Sequence, residues 1–257
     1  MNRWTTALIA PLLAVAAAGG EPDYHDPQVA LLEEATQAEV VSAFAAYDAE
    51  RIWGALERIQ ARAGTAEARP LDGYAEALGC LELLVIQRYY ERQDEARLPK
   101  VLAEQGREAL VERGLAAAER FRQANPAHSD VERVRGELIS FQITGPVSGW
   151  TKGPEAQKAV LEAEQKDGKN AWAVFAQARM HFHNPAMAGG DKDLALKELR
   201  AISPHLKHFR ISHYLALTYQ AKEMLLQARY WAQVARRQAP DNPEVARLHA
   251  ALEEQSR

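Results

Sequence analysis

Apolar residues recur with a helical period along most of this chain, and the two-residue period of a strand is almost absent. Proline and glycine interrupt the pattern and mark the ends of helices. Most interruptions are short, so consecutive helices are expected to lie antiparallel as neighbours. Longer connections are expected at 145–153 and 184–190. The pattern predicts about ten helices, at 34–62, 73–94, 99–124, 129–143, 154–167, 170–183, 191–202, 206–221, 224–238 and 242–255.

A fixed spacing of packing residues stands out in the segment that begins at Phe209. Small and large apolar residues, with a final proline, fall at relative positions 7, 8, 11, 20, 24, 27 and 32. These are packing positions of the tetratricopeptide repeat (TPR), which is about 34 residues long. The segment therefore resembles a TPR, a pair of helices in which small residues let the backbones approach. The residues are Leu215, Ala216, Tyr219, Ala228, Ala232, Ala235 and Pro240.

The same spacing returns twice upstream. In each repeat, a small residue on the first helix is followed by a triad of packing residues on the second helix. The first residue of the triad comes 20 residues after Gly136 and 17 residues after Ala178, whereas it comes 12 residues after Ala216. The two upstream repeats therefore carry insertions of about eight and about five residues relative to the repeat pattern. The triads on the second helices are Ala156, Val160 and Ala163, and Ala195, Leu199 and Ile202.

The resemblance implies an all-α fold, a right-handed α-solenoid of antiparallel helix pairs. Alanine occupies 48 of the 257 positions while aromatic residues make up 7%, which fits helices packed closely through small residues. The expected division is a signal peptide at 1–18, a linker at 19–33, a divergent N-terminal helical region at 34–124, TPR-like repeats at 128–167, 170–203 and 206–239 (together 128–239), and a capping helix at 242–257.

The second insertion has a recognisable sequence. Asn184-Pro185, followed by Gly189-Gly190-Asp191, resembles an element of bacterial exported TPR-like proteins, some of which look like helical partners in transporters that use a solute-binding protein. The resemblance covers about 20 residues of a loop rich in proline and glycine. The two glycines permit positive φ, and Asp191 can cap the next helix. A structural role for this loop therefore stands beside a binding role.

The N-terminus has the pattern of an export signal. Arg3 precedes the apolar stretch 5–18, and small residues follow it. The stretch is shorter than the roughly 20 residues that span a bilayer. We therefore expect an exported, soluble periplasmic protein with no stable membrane span after cleavage, and an uncleaved, loosely attached N-terminus is the alternative. Cys80 is the single cysteine, and its apolar neighbours predict a buried thiol rather than a nucleophile.

Charge and motifs argue against several classes of function. The 31 basic and 35 acidic residues include no basic stripe, which disfavours nucleic acid as a partner. Signatures of hydrolases, zinc proteases, phosphate-binding loops and dithiol motifs are missing from the sequence, so we predict no enzyme activity and no cofactor. Five of the eight histidines cluster in 181–213, but only two share a helix face, so no metal site is predicted, although metal binding there is left open. They are His181, His183, His205, His208 and His213, of which His205 and His208 share a face.

The TPR resemblance also implies which residues face the concave groove. In the first repeat, these positions hold Asp130, Arg133, Glu137, Ser140 and Phe141. In the second and third repeats, the resemblance gives the candidate partner-binding residues Trp172, Phe175, Arg179, Phe182, His183, Arg210 and His213.

A competing register exists for the second repeat. With Ala176 at the small position, Trp172 and Phe175 would be buried and Arg179 would fall in an apolar packing slot. Because burying that charge is costly, we favour the groove register. An exposed stripe of aromatic residues with arginine and histidine is typical of peptide recognition. The sequence therefore predicts a non-enzymatic periplasmic scaffold for a peptide or protein of unknown identity. The alternative is an accessory helical component that works with a solute-binding protein in transport.

Overall fold

The computed structural model describes residues 22–255, and this part of the chain is built from α-helices with three short 3-10 helices. The 3-10 helices are Pro27–Glu33, Glu95–Arg97 and Ala186–Ala188. The α-helices are α1 (Ala35–Phe44), α2 (Ala49–Arg62), α3 (Asp72–Gln93), α4 (Lys100–Gln105), α5 (Arg107–Ala124), α6 (Ser129–Ser140), α7 (Pro146–Lys166), α8 (Ala171–His183), α9 (Lys192–Ile202), α10 (Phe209–Ala221), α11 (Leu225–Gln238) and α12 (Pro243–Glu254).

Two segments predicted as single helices are each divided in two. The first breaks before Asp48, where Tyr47 adopts a positive φ of 54° and the Asp48 carboxylate caps α2 by accepting the Arg51 N–H at 3.1 Å. The second breaks at Gly106, which separates α4 from α5. Because apolar periodicity continues across both breaks, the pattern alone predicted one helix where the structure has two.

Helix α7 is longer than predicted. The segment 145–153 was expected to be a connection, but α7 already begins at Pro146, a residue suited to the first turn of a helix. The Ser148 hydroxyl accepts the Gly145 N–H at 3.0 Å and so closes the N-terminus. The insertion in the first repeat is therefore accommodated as two extra helical turns.

The three predicted repeats correspond to three pairs of contacting helices, α6 with α7, α8 with α9, and α10 with α11. At the close approach of α6 and α7, a Cβ atom on Gly136 would lie 2.7 Å from the carbonyl oxygen of Ala156. Only glycine fits there, and the repeat spacing predicts a small residue at this position. The alanines at the other small positions are also buried, namely Ala156, Ala163, Ala178, Ala195, Ala216, Ala228, Ala232 and Ala235.

The stack of helices winds until its first helices touch its last ones. The ring centroids of Phe44, at the end of α1, and Phe209, at the start of α10, lie 5.6 Å apart. The Tyr47 hydroxyl donates a hydrogen bond to Glu244 of α12. These contacts enclose the inner side of the solenoid, which bears on the candidate site.

The described part of the expected linker, residues 22–33, packs on the body of the protein. The Asp26 carboxylate accepts the Trp172 indole N–H at 2.8 Å, and the His25 carbonyl accepts the Ala171 N–H at 3.0 Å. Leu31 is fully buried in the core of the N-terminal helices. Residues 22–33, expected to be a linker, therefore bury an apolar side chain of their own against the helices. The predicted signal peptide, 1–18, lies outside the described residues.

Two further predictions concern single residues. Cys80 is buried, as predicted, and loss of solvent raises the pKa of its thiol to about 12. In the second insertion, Gly189 has a φ of 84° and Asp191 caps α9, accepting the N–H groups of Asp193 and Leu194. Gly190 is needed for a different reason than positive φ, since a Cβ there would lie 1.8 Å from the Asn184 carbonyl oxygen. Within residues 22–255, no helix has the length and apolar character to cross a membrane.

Candidate functional site

The inner side of the solenoid holds a cavity of about 650 Å³. Helices α3, α6, α8 and α10 supply most of its walls, and α12 supplies Glu244. This volume lies in the range typical of ligand sites, and the lining mixes apolar and aromatic side chains with charged ones. Four of the predicted partner-binding residues line this cavity: Arg179, His183, Arg210 and His213.

Trp172 and Phe175 are not accessible in this cavity. Their side chains are 1% and 0% exposed, although they were predicted to form an exposed stripe. The Arg210 guanidinium covers both rings, at 5.9 Å from the Trp172 centroid and 5.6 Å from that of Phe175. The groove register did not predict this burial. It arises because the tight winding of the stack brings α6 and α10 over the inner face of α8, and spacing within one repeat does not show that contact.

The packing of the two small residues of α8 agrees in part with each register. Ala178 is buried in the core that contains Leu199 of α9, as the groove register requires. Ala176 is also buried, and it lines the inner cavity. The inward direction of the stripe therefore agrees with the groove register, while the burial of its aromatic members agrees with the competing one.

Phe182 and His183 lie at the mouth of the cavity. Phe182 is half-buried, and its ring packs edge-on against His183 at 4.9 Å. The Nε2 atom of His183 lies 3.0 Å from the Tyr214 hydroxyl. Loss of solvent, with the positive charges of Arg179 and Arg88, lowers the pKa of His183 to about 4, so this ring is neutral at pH 7.

A chain of buried charges forms the floor of the cavity. Arg133 donates to Asp130 at 2.9 Å through Nε and to Glu137 at 2.9 Å through Nη1. Arg179 donates to the other oxygen of Glu137 and, at 3.2 Å, to the Tyr214 hydroxyl. Burial alone would raise the pKa of Glu137, but the guanidinium groups of Arg179 and Arg133 outweigh it and lower the pKa to about 2. The network fixes the orientation of Arg179.

Helix α3 contributes residues that sequence reasoning missed. Arg88 lines the cavity, and its guanidinium carbon lies 3.7 Å from the centroid of the Phe141 ring. Arg92 follows one turn later on the same wall. The segment 73–94 matched no repeat register, so its inward positions could not be assigned. Spacing along the helix was the available signal, since Arg88 and Arg92 are four residues apart and face the same side.

The histidines of 181–213 are spread over separate environments. His181 Nδ1 lies 2.8 Å from Glu198, whereas the His208 ring packs against the rings of Trp172 and Phe209. His205 contacts Tyr24 instead of His208. Among the described residues, no group of three histidine, cysteine, aspartate or glutamate side chains is arranged to hold a metal ion.

The chain is similar in structure to a thermophilic TPR protein of Thermus thermophilus. The TM-score is 0.56, and the match covers 86% of this chain and 100% of that one. The fold is TPR-like. The two sequences are 16% identical, so the similarity concerns the fold alone. No protein-family model matches the sequence, and neither does any curated protein.

Proposed function

We propose that this protein is a non-enzymatic interaction scaffold that holds a peptide or protein surface on the concave, inner side of its solenoid. One observation carries the proposal: Arg179 and His183 of one helix pair and Arg210 and His213 of the next line the same cavity. Peptide grooves use such mixtures of aromatic and charged side chains. The TPR-like fold supports a protein partner over nucleic acid, for which the chain of net charge -4 offers no basic stripe.

Four residues are assigned to direct contact, and three to other positions. Arg179, His183, Arg210 and His213 face the cavity and contact the partner, Arg210 and His213 through the small part of their side chains that is exposed there. Phe182 borders its mouth through the His183 ring. Trp172 and Phe175 support Arg210 from behind and do not touch the partner.

We place the scaffold in the periplasm. The support is the pattern of Arg3 and the apolar stretch 5–18, which is typical of a signal peptide. Expression of the full chain in a bacterial host, followed by osmotic shock and intact mass measurement, tests this placement. A mature protein that begins near residue 19, released with the periplasmic fraction, is the expected result. A full-length protein in the cytoplasmic fraction contradicts it.

A role beside a solute-binding protein in transport is the alternative. It is favoured by one observation: the loop that resembles exported TPR-like proteins begins at the cavity, because Asn184 lines it. Co-purification of a solute-binding protein that depends on this loop, tested by replacing 184–190 with a Gly-Ser linker, would favour the alternative. Binding that survives the replacement would favour the scaffold.

The scaffold is tested by crosslinking at chosen positions in the native envelope. A photo-reactive amino acid is placed at Leu217, which lines the cavity, or at Lys158, which is exposed on α7 outside it. We expect a discrete crosslinked protein from position 217 and none from 158, and we expect Arg179→Gln to weaken that product. Equal products from both positions, or no product from position 217, would overturn the assignment of the inner side.

A further inference from the structure

Positive charge exceeds negative charge around the inner cavity. Apart from histidines, five arginines and three glutamates line the cavity. Glu82, which lies behind Arg210 and pairs with it, brings the number of carboxylates to four. Three of the arginines are paired: Arg107 with Glu91, Arg179 with Glu137, and Arg210 with Glu82. The other two, Arg88 and Arg92, make no hydrogen bond or ion pair to any of residues 22–255. One elementary charge is therefore left without a counterpart.

Arg88 is the better placed of the two. Its side chain is half-buried, whereas that of Arg92 is exposed. Its guanidinium carbon lies 3.7 Å from the centroid of the Phe141 ring, a cation–π contact that holds the group in place, and its N–H groups have no acceptor among residues 22–255. Desolvation, with the charges of Arg179 and Arg92, lowers the pKa of Arg88 to about 10, so the group remains a cation at pH 7. A positioned cation that lacks a partner is the kind of group that binds an anion.

The surroundings of Arg88 indicate which anion. A single excess charge matches one carboxylate, whereas a phosphate ester carries up to about two negative charges at pH 7 and would face Glu91 and Glu137. Val85, Tyr89 and Phe141 form an apolar and aromatic wall on one side of the cavity. This wall suits the apolar body of a small molecule, and the cavity has the volume for one.

We propose that the inner cavity binds the carboxylate of a small organic acid with an apolar body, and that Arg88 is its anchor. This site is the same cavity that the proposed scaffold function uses. The proposal does not depend on that function, because a small acid binds without any protein partner. The same chemistry is offered by the C-terminal carboxylate of a peptide that ends in an apolar residue. The experiment separates these two sources.

Calorimetric titration of the purified protein at pH 7 tests the proposal. The probes are 3-phenylpropionate and its uncharged amide, 3-phenylpropanamide. We expect the acid to bind and the amide to bind at least about tenfold more weakly. Arg88→Gln should weaken the binding of the acid by a similar factor, and Arg88→Lys should weaken it by less. Arg200→Gln, on the exposed side of α9, should leave the affinity for the acid unchanged.

Further arms of the titration identify the source and the kind of anion. The peptide Gly-Gly-Phe and its C-terminal amide take the place of the two small probes. Binding of the free peptide, lost on amidation and in Arg88→Gln, supports the proposal and names a chain terminus as the source. Tighter binding of phenyl phosphate than of 3-phenylpropionate overturns the choice of carboxylate.

The proposal fails on several results. These are no heat of binding up to about 10 mM for either the acid or the free peptide, equal affinity of a carboxylate probe and its amide, or unchanged affinity in Arg88→Gln. The acid and amide are compared on the wild-type protein, so this comparison holds even if the variant does not fold. Crosslinking from position 217 in the envelope is independent of all these results, so the proposal and the scaffold function can fail separately.

Discussion

Arg210 and Glu82 form a buried ion pair that joins helices far apart in the sequence. Arg210 Nη1 lies 3.0 Å from Glu82 Oε1, although 128 residues separate them. Desolvation raises the pKa of Glu82, and the charge of Arg210 opposes that rise. The pair holds α3 against α10 and so helps to close the solenoid around its inner cavity.

Breaking this pair on one side should destabilise the protein strongly. Arg210→Met leaves the Glu82 charge buried without its partner, and we expect a loss of about 3–5 kcal/mol in the free energy of unfolding. The double variant Arg210→Met with Glu82→Leu removes both charges and should recover most of that loss. Urea denaturation followed by circular dichroism measures both. Arg58→Met, which breaks an exposed pair with Glu39, is the control and should cost about 0–1 kcal/mol. A similar cost for Arg210→Met and Arg58→Met would contradict the closing role.

The close approach of α6 and α7 can be tested by adding one methyl group. A Cβ at position 136 would meet the Ala156 carbonyl oxygen at 2.7 Å, so Gly136→Ala should force the helices apart at a cost of about 1–3 kcal/mol. Gly153→Ala, on α7, is the matched control, because a Cβ at position 153 would have no neighbouring atom within 4 Å. Alanine at a free helical position should stabilise by about 0.5–1 kcal/mol. Thermal and urea unfolding of the two variants should therefore shift in opposite directions.

The sequence predicted the repeated helix pairs because stacking imposes residue size at a fixed spacing. Gly136, Ala178 and Ala216 each lie where the second helix approaches, and this local rule could be read without a structure. The solenoid's closure could not be read in this way. It depends on contacts such as Phe44 with Phe209, and no local pattern links residues so far apart in the chain.

The site was predicted in part for the same reason. Arg179 and Arg210 were found because their repeats fix which side of the helix faces inward. Trp172 was placed on that side too, but its burial depends on how far Arg210 reaches across from the next pair. Arg88 was missed because α3 belongs to the region in which the repeat spacing has decayed.

The buried Glu137 should make stability depend on acid pH. Its pKa is lowered in the folded protein to about 2, below the ordinary value of 4.5, so the folded state favours the charged carboxylate. The resulting stabilisation is complete above about pH 4.5 and is lost as the pH falls towards 2; by linkage it is on the order of 3 kcal/mol.

Glu137→Gln should therefore cost most at pH 7 and least near pH 2. Urea unfolding at pH 7, 4 and 3 measures the difference in free energy between wild type and variant, which should shrink as the pH falls. Glu112→Gln, at an exposed site with no ion pair to the described residues, is the control and should show a small difference at every pH. A Glu137→Gln difference that stays constant down to pH 3 would show that the charge of Glu137 is not what stabilises the floor of the cavity.

The segment before α1 is part of the folded body, and two adjacent leucines allow this to be tested. Leu31 is 0% exposed, whereas Leu32, in the same 3-10 helix, is 54% exposed. Leu31→Ala should lower the free energy of unfolding by about 2–5 kcal/mol, because it leaves a cavity among the N-terminal helices. Leu32→Ala should change it by less than about 0.5 kcal/mol, as expected for an exposed position. Since both variants lose the same atoms one residue apart, equal effects in urea denaturation would mean that residues 27–33 act as a linker after all.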